Sequence, residues 1–291
     1  MSFLKKVKDV LSLIKFSHTI FAMPFALIGF SLGSVTSNHF TFYKLLLIVL
    51  CMISARTAAM AFNRYIDREI DKKNIRTQNR EIPSGKISSK LALLLVIFTS
   101  LLFIALTYFI NQLCFYLSPV ALLVILGYSY TKRFTPLCHF ILGIGLSLSP
   151  IGAYIAVTDS FALLPILISL IVLFWTGGFD IIYSLQDAEY DASQNLYSIP
   201  SLLGIKKALI ISRLAHFFTS MIVVIVGFYS VFSFVYWIGA SIFILLLIYQ
   251  HRLVKPSDLS KINIAFGTTN GWASIIYGVF TIISLLLPIL L

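Results

Sequence analysis

The sequence predicts an all-α integral membrane protein with nine transmembrane helices around a central cavity, its N-terminus on the cytoplasmic side. Composition is the first ground: of 291 residues, 59% are hydrophobic and only 11% charged, far from the balance of a soluble domain. Apolar stretches long enough to cross a bilayer, about 20 residues each, are the second. They recur at 17–36, 43–62, 91–110, 113–131, 137–157, 161–183, 208–230, 232–250 and 264–290. The third is the placement of the basic residues. With the N-terminus inside, all of the 22 Lys and Arg residues except Lys44 fall on or near the inner side, which is the positive-inside pattern of a multi-pass protein.

The elements follow in order. Lys5, Lys6, Lys8 and Lys15 precede the first span. It lacks a small-residue cleavage site and is followed by further spans, so it reads as a mature helix rather than a signal peptide. His18 at its start is read as structural. Spans two and six are each followed by a long polar segment, 63–90 and 184–207, and both segments carry turn chemistry ("IPSGKISSK", "SIPSLLG"). Spans four and eight are followed by short basic stretches, "YSYTKRF" and "YQHRLVK". The polar features thus repeat every four helices, which suggests a duplication of four plus four with a ninth helix added. No soluble domain fits between the spans, so residues 1–291 are expected to form one transmembrane unit. The net charge of +11 is spread over several short loops and forms no nucleic-acid recognition element. Cys51, Cys114 and Cys138 form no CxxC pair and are expected to be packing residues.

The chemistry sits in two acidic segments. In "NRYIDREID", Asn63, Asp67 and Asp71 are four residues apart, a step that keeps side chains on one helical face about 6 Å further along each time. In "FDIIYSLQDAEYD", Asp180, Asp187 and Asp191 share one face of a continuous helix, flanked by Tyr183 and Ser184. Outside these two segments the only acids are Asp9, Glu81, Asp159 and Asp258. A single such ridge is ordinarily a solvated face. Two at equivalent places, both at the inner mouth, would repel each other unless a cation lay between them. Mg²⁺ prefers oxygen ligands and is typically held by one or two carboxylates plus substrate phosphates. Arg64, Arg68, Lys72, Lys132 and Arg133 add positive charge nearby. The expected ligand therefore has a diphosphate head carried with Mg²⁺ and a long hydrocarbon tail in an interior rich in Phe and Tyr.

With these motifs the chain resembles the UbiA superfamily of intramembrane aromatic prenyltransferases. The resemblance covers essentially the whole chain and rests on "NRYIDREID", "YSYTKRFT" and "DAEYD" in that order. It implies transfer of a polyprenyl chain from polyprenyl diphosphate, with Mg²⁺, to a hydroxyaryl carboxylate in respiratory quinone biosynthesis, in the plasma (inner) membrane with the active-site mouth on the cytoplasmic side. It implies Asn63, Asp67, Asp71, Asp187 and Asp191 as the catalytic Mg²⁺–diphosphate residues. Glu81 stands where many members carry Pro, and Tyr197 stands where 4-hydroxybenzoate enzymes often carry Lys. "ARTAAMAFNR", "NREIPSG", "SLQD" and "SIP" are closer to the branch acting on a dihydroxy-naphthoate carboxylate in menaquinone synthesis. The acceptor is therefore left between the two acids.

Further roles follow from position. Arg56 lies seven residues before Asn63, about 10 Å deeper on that face; it is either a fork for the acceptor carboxylate, a structural ion pair, or a snorkelling side chain. Asp180 sits in apolar surroundings and calls for a cavity and a partner. Lys132 and Arg133 are expected to bind phosphate, Tyr128 and Tyr183 to orient polar groups, and Asn270 either to face the cavity or to bond between helices. Asp191 and the released diphosphate are both candidates for the base that removes the ring proton. Two other classes were weighed. A CDP-alcohol phosphotransferase needs a DG pair, and none occurs. A divalent-cation transporter would use the acid ridges as an ion path, but the outer half offers few polar residues to continue it.

Overall fold

A computed structural model describes residues 9–10, 12–13, 21–230 and 232–290. Lys5, Lys6, Lys8, Lys15, His18 and the first four residues of the expected first span lie outside the described residues. Eight described helices are long and apolar enough to cross a membrane: α2 (Phe42–Ile66), α4 (Ser89–Ile110), α5 (Gln112–Thr131), α6 (Cys138–Thr158), α7 (Leu163–Ser184, continued by short turns to Ser193), α9 (Ile199–Tyr229), α10 (Phe234–Leu253) and the last, from Ile264. A ninth, shorter apolar helix, α1 (Met23–Thr36), precedes them. Two short helices, α3 (Arg68–Lys73) and α8 (Ala188–Ser193), lie in the long polar segments, and α11 (Asn270–Leu290) completes the final span.

Local chemistry sets the helix ends. The Ser88 hydroxyl caps α4 and the Asn111 side chain caps α5, each satisfying an N–H left free at a helix start. Ser198 and Ser201 form a reciprocal cap at α9. That helix begins nine residues before the expected 208, because the basic stretch with Lys206 and Lys207 continues the helix across a kink. Gly204, at φ +75°, makes the kink, in a backbone region that side-chain-bearing residues rarely adopt.

The helices form two rings that share α1 and α6. One ring runs α1, α2, α4, α5, α6; the other runs α6, α7, α9, α10, α11 and back to α1. The shared helices approach closely: a Cβ on Gly29 of α1 would lie 2.0 Å from the Pro150 carbonyl oxygen of α6, and one on Gly143 of α6 would lie 2.5 Å from the Leu173 carbonyl oxygen of α7. Small residues at such crossings let membrane helices pack backbone to backbone. The second ring is solid, filled by Phe25, Trp175, Phe179, Phe243 and Tyr277. Here Asn270 accepts from Trp175 Nε1 (2.9 Å) and Gln250 Nε2 (2.7 Å), so its role is interhelical bonding. The first ring is hollow. Outside, Leu94, Phe98, Leu101, Leu123, Phe217 and Phe228 stand exposed. A continuous apolar belt of this kind suits lipid and not water.

Two of the expected helical runs are interrupted. α2 ends at Ile66, Asp67 leaves helical geometry (φ −88°, ψ 2°), and α3 starts again at Arg68. The second segment passes from α7 through a tight turn, Leu185–Asp187, into α8. Neither acidic set rides one continuous helix as the spacing alone predicts. The first ridge survives because the four-residue bonds Asp67 N–H to Asn63 O (3.0 Å) and Asp71 N–H to Asp67 O (2.7 Å) are kept through the break.

Candidate active site

At the ends of α2 and α7, a polar cavity of about 530 Å³ is lined by α2, α3, the segment after it, α5, α6, α7 and α8. Asn63, Arg64, Asp67, Asp71, Tyr128, Lys132, Asp180, Tyr183, Asp187 and Asp191 all line it. The two acidic segments therefore meet across one space. They are also tied directly: Asn74 Nδ2 donates to Asp187 Oδ1 (3.0 Å), and the Tyr190 hydroxyl donates to the Ile70 carbonyl (2.7 Å).

Asp67 and Asp71 are nearly removed from solvent, Asp187 is partly so, and all three are compensated by cations of the chain. Asp67, 2% exposed, sits between Lys132 Nζ (2.7 Å) and Arg133 Nη2 (3.1 Å). Arg133 also donates to the Ser129 and Ile66 carbonyls, which fixes the turn after α5 against the end of α2. Asp71, 3% exposed, pairs with Arg80 Nη1 at 2.7 Å. Arg76 grips Asp187 through both nitrogen edges, one bond being Nε to Oδ1 at 2.8 Å, and lies over the Tyr183 ring. Burial works against the Arg76 charge, but the Asp187 carboxylate offsets this and holds its pKa above the ordinary arginine value. Unpaired, carboxylates this buried would cost several kcal/mol each; these pairs offset that cost.

Oxygen donors remain free for a cation. Asp71 Oδ2 is buried and has no hydrogen-bond partner among the described residues. Among those residues no three of His, Cys, Asp and Glu converge closely enough to hold an ion alone. An all-carboxylate donor set that is incomplete by itself fits a hard cation whose remaining ligands come from water and phosphate.

Arg56 and Tyr128 mark the inner limit of the polar space. Both, with Met60, Leu142 and Leu146, also line a second cavity of about 230 Å³. This one is apolar and runs within the first ring past Ala59, Ala55 and Met52 to Ile48, Ile110 and Ile155. From Arg56 to Ile48 is about 12 Å along α2. Arg56 forms no salt bridge among the described residues, and its Nε is buried without a partner, so the structural-ion-pair role weighed from the sequence has no counterion.

Two expected site residues do not line the cavity; Arg133 reaches Asp67 from behind it, and Arg68 lies elsewhere. Arg68 folds back over the Tyr65 ring at 4.7 Å and donates to the Tyr65 carbonyl (2.8 Å), being one residue past Asp67 and so about 100° round from the acidic face. Sequence reasoning passed over Arg76, Arg80, Asn74 and His139. Arg76 and Arg80 carry a signal, two arginines four apart directly after the first acidic motif, but their partners are set by the fold of the segment. Glu81 lines the cavity and accepts from the Ser12 hydroxyl at 2.5 Å.

Fold and site together define a multi-pass helical membrane protein in which a charged chamber opens into a hydrocarbon-like one. The UbiA prenyltransferase family pattern matches residues 22–280, and the chain belongs to that family; it is an aromatic prenyltransferase. A 4-hydroxybenzoate octaprenyltransferase of Aeromonas salmonicida is 30% identical over 249 residues, 84% of either chain. The same-named protein of Vesicomyosocius okutanii is 30% identical over 225 residues, 77% of this chain and 82% of that one. The apo structure of a UbiA homolog from Aeropyrum pernix superposes with a TM-score of 0.83 at 31% identity, over 91% of this chain and 97% of that one. A UbiA homolog from Archaeoglobus fulgidus, bound to GPP and Mg²⁺, shares the fold at a TM-score of 0.66 and 18% identity, over 92% and 99% of the chains.

Proposed function

We propose that this protein transfers a polyprenyl chain from polyprenyl diphosphate to the ring of a hydroxyaryl carboxylate, 4-hydroxybenzoate or a dihydroxy-naphthoate, in respiratory quinone biosynthesis. The observation that carries this reading is the junction of the two chambers at Arg56 and Tyr128: a charged head and an apolar tail are accommodated on either side of one pair of residues. The curated relatives are named for the same type of acceptor, and an archaeal fold neighbour holds a prenyl diphosphate with Mg²⁺.

Asn63, Asp67, Asp71, Asp187 and Asp191 would hold Mg²⁺ together with the diphosphate. Bound there, the ion supplies charge neutralisation of the leaving group. Lys132, Arg133, Arg76 and Arg80 already stand at these acids and add fixed positive charge where negative charge develops. Tyr128 lines both chambers and presents its aromatic face to the allylic cation, worth about 2 kcal/mol when desolvated, whereas the Tyr183 ring is covered by Arg76 and Phe266. The apolar wall excludes water that would quench the cation to an alcohol. Arg56, charged and without a counterion, forks the acceptor carboxylate. That wall also gives a metal ion no onward path, which argues against a transporter. The mouth faces the cytoplasm of the inner membrane, consistent with the basic loops on that side.

Purified protein with Mg²⁺, geranyl diphosphate and a panel of hydroxyaryl acids tests the proposal. Mass spectrometry should find one prenylated acid; release of geraniol with no prenylated acid from any panel member contradicts it.

A further inference from the structure

His139, the second residue of α6, is 2% exposed; it lines the polar cavity but bonds to none of Asp67, Asp71, Asp187 and Asp191. Its Nδ1 lies 2.7 Å from Asp180 Oδ2. On the other side of the ring, the backbone N–H of Ile199, at the first turn of α9, donates to Nε2 at 3.3 Å. That contact fixes the tautomer. Nε2 must present its lone pair to the Ile199 N–H, so the ring proton sits on Nδ1 and is donated to Asp180. Asp180 accepts this bond through Oδ2. One oxygen of Asp180 is held by His139; Oδ1 makes no hydrogen bond among the described residues, and the side chain lines the polar cavity.

Depth distinguishes Asp180 from the other acids. It lies within α7, four residues before the helix ends at Ser184, whereas Asp187 lies in the turn beyond that end. Arg56 lies about 10 Å below Asn63 on α2, which runs in the same direction. The hydroxyl of Tyr128 is within electrostatic reach of both Arg56 and Asp180. Asp180 lines the polar cavity beside His139, one helical turn before Leu142 of α6, which lines both chambers; it therefore lies between the diphosphate acids and the junction, on the side from which the acceptor ring meets the first carbon of the prenyl chain.

We infer that Asp180 is the general base that removes the proton from the prenylated ring, and that His139 is the positioning residue that orients it. The inference rests on the prenyl-transfer reading above. The allylic C–O bond breaks and its electron pair leaves with the diphosphate. A ring π pair forms the new C–C bond, leaving a ring cation. The C–H pair at the substituted carbon then returns to the ring while the proton passes to Asp180 Oδ1, giving a neutral carboxylic acid that later returns the proton to solvent.

The test is a kinetic isotope effect on the purified full-length protein with geranyl diphosphate and two probes. These are 4-hydroxybenzoate and a dihydroxynaphthoate, each deuterated at the ring C–H positions next to a hydroxyl. In the wild type, ionisation of the allylic C–O bond should limit the rate and the label should have no effect. Asp180→Asn should lower kcat about 10²-fold or more, the usual contribution of a positioned base, and should reveal a primary isotope effect. It should also scramble bridging ¹⁸O in recovered geranyl diphosphate, because the ring cation reverts when its proton cannot leave. His139→Gln retains an N–H donor and should show a weaker form of the same signature; His139→Ala should show it strongly. An isotope effect that stays absent in both Asp180→Asn and His139→Ala overturns the inference. So does a rise in the Mg²⁺ concentration required with no isotope effect, which would make Asp180 a metal ligand. If a variant fails to bind geranyl diphosphate as the wild type does, the comparison rests on His139→Gln, which either shows the effect or overturns the inference. A wild type that prenylates neither acid overturns the proposed function as well.

Discussion

Replacing Arg56 by lysine probes the acceptor site with little disturbance to the fold. The side chain lines both chambers and has no ion-pair partner, so no structural bridge is broken and the positive charge is kept. What is lost is the planar fork. A guanidinium gives a carboxylate two parallel bonds, and an ammonium acts as a point charge. Loss of one charge-assisted bond costs about 1.5–3 kcal/mol, so KM for the acceptor should rise about 10- to 150-fold. KM for geranyl diphosphate should stay nearly constant, because Arg56 lies about 10 Å below the acids. Initial rates at saturating geranyl diphosphate with the acceptor varied provide the measurement. An unchanged acceptor KM would refute the fork and leave Arg56 as a general source of positive potential.

Four other outcomes follow from the geometry. Asp71→Asn removes the charge behind the unpartnered buried oxygen and should weaken Mg²⁺-dependent binding of geranyl diphosphate at least about tenfold by calorimetry, one lost charged contact being worth about 1.5–3 kcal/mol. Arg76→Ala should raise KM for the prenyl diphosphate about tenfold or more on the same grounds, whereas Arg68→Ala, turned away from the cavity, should change kcat/KM by no more than about twofold. Gly152 lines the apolar chamber and has open space at its Cβ; Gly152→Phe should cut the farnesyl-to-geranyl rate ratio by about fivefold or more, the effect of overpacking by 1–3 kcal/mol. Gly29→Ala, facing the Pro150 carbonyl at 2.0 Å, should cost about 1–3 kcal/mol and lower the thermal midpoint in detergent, while Gly152→Ala should not.

Much of this organisation is legible in the chain because lipid imposes simple rules. A span needs an unbroken apolar run, so α4, α5 and α6 begin and end within two residues of the expected bounds. Charges are rare enough that acids aligned at four-residue spacing stand out, and Asp67, Asp71, Asp187 and Asp191 do line one cavity. What escapes is set by the backbone between spans. The break at Asp67 leaves no mark in the residue pattern, and neither does the fold of Arg68 back onto Tyr65. The pairing of Arg76 with Asp187 joins residues 111 positions apart, and that of His139 with Asp180 spans 41; no periodicity encodes either. The hollow first ring and solid second ring have similar hydrophobicity. They differ in where the aromatic side chains meet, which depends on helix packing and not on composition.

The central claim is that the diphosphate sits among the two acidic segments while the tail passes Arg56 and Tyr128 into the first ring. An experimental structure in a lipid nanodisc with Mg²⁺ and geranyl thiodiphosphate, a non-reacting analogue, tests it most directly. The expected result is phosphate density bounded by Asp67, Asp71, Asp187 and Asp191, with the chain running towards Ile48 and Ile155. Density for the head beside other residues, or a tail lying against the outer belt instead of in the apolar chamber, would contradict it.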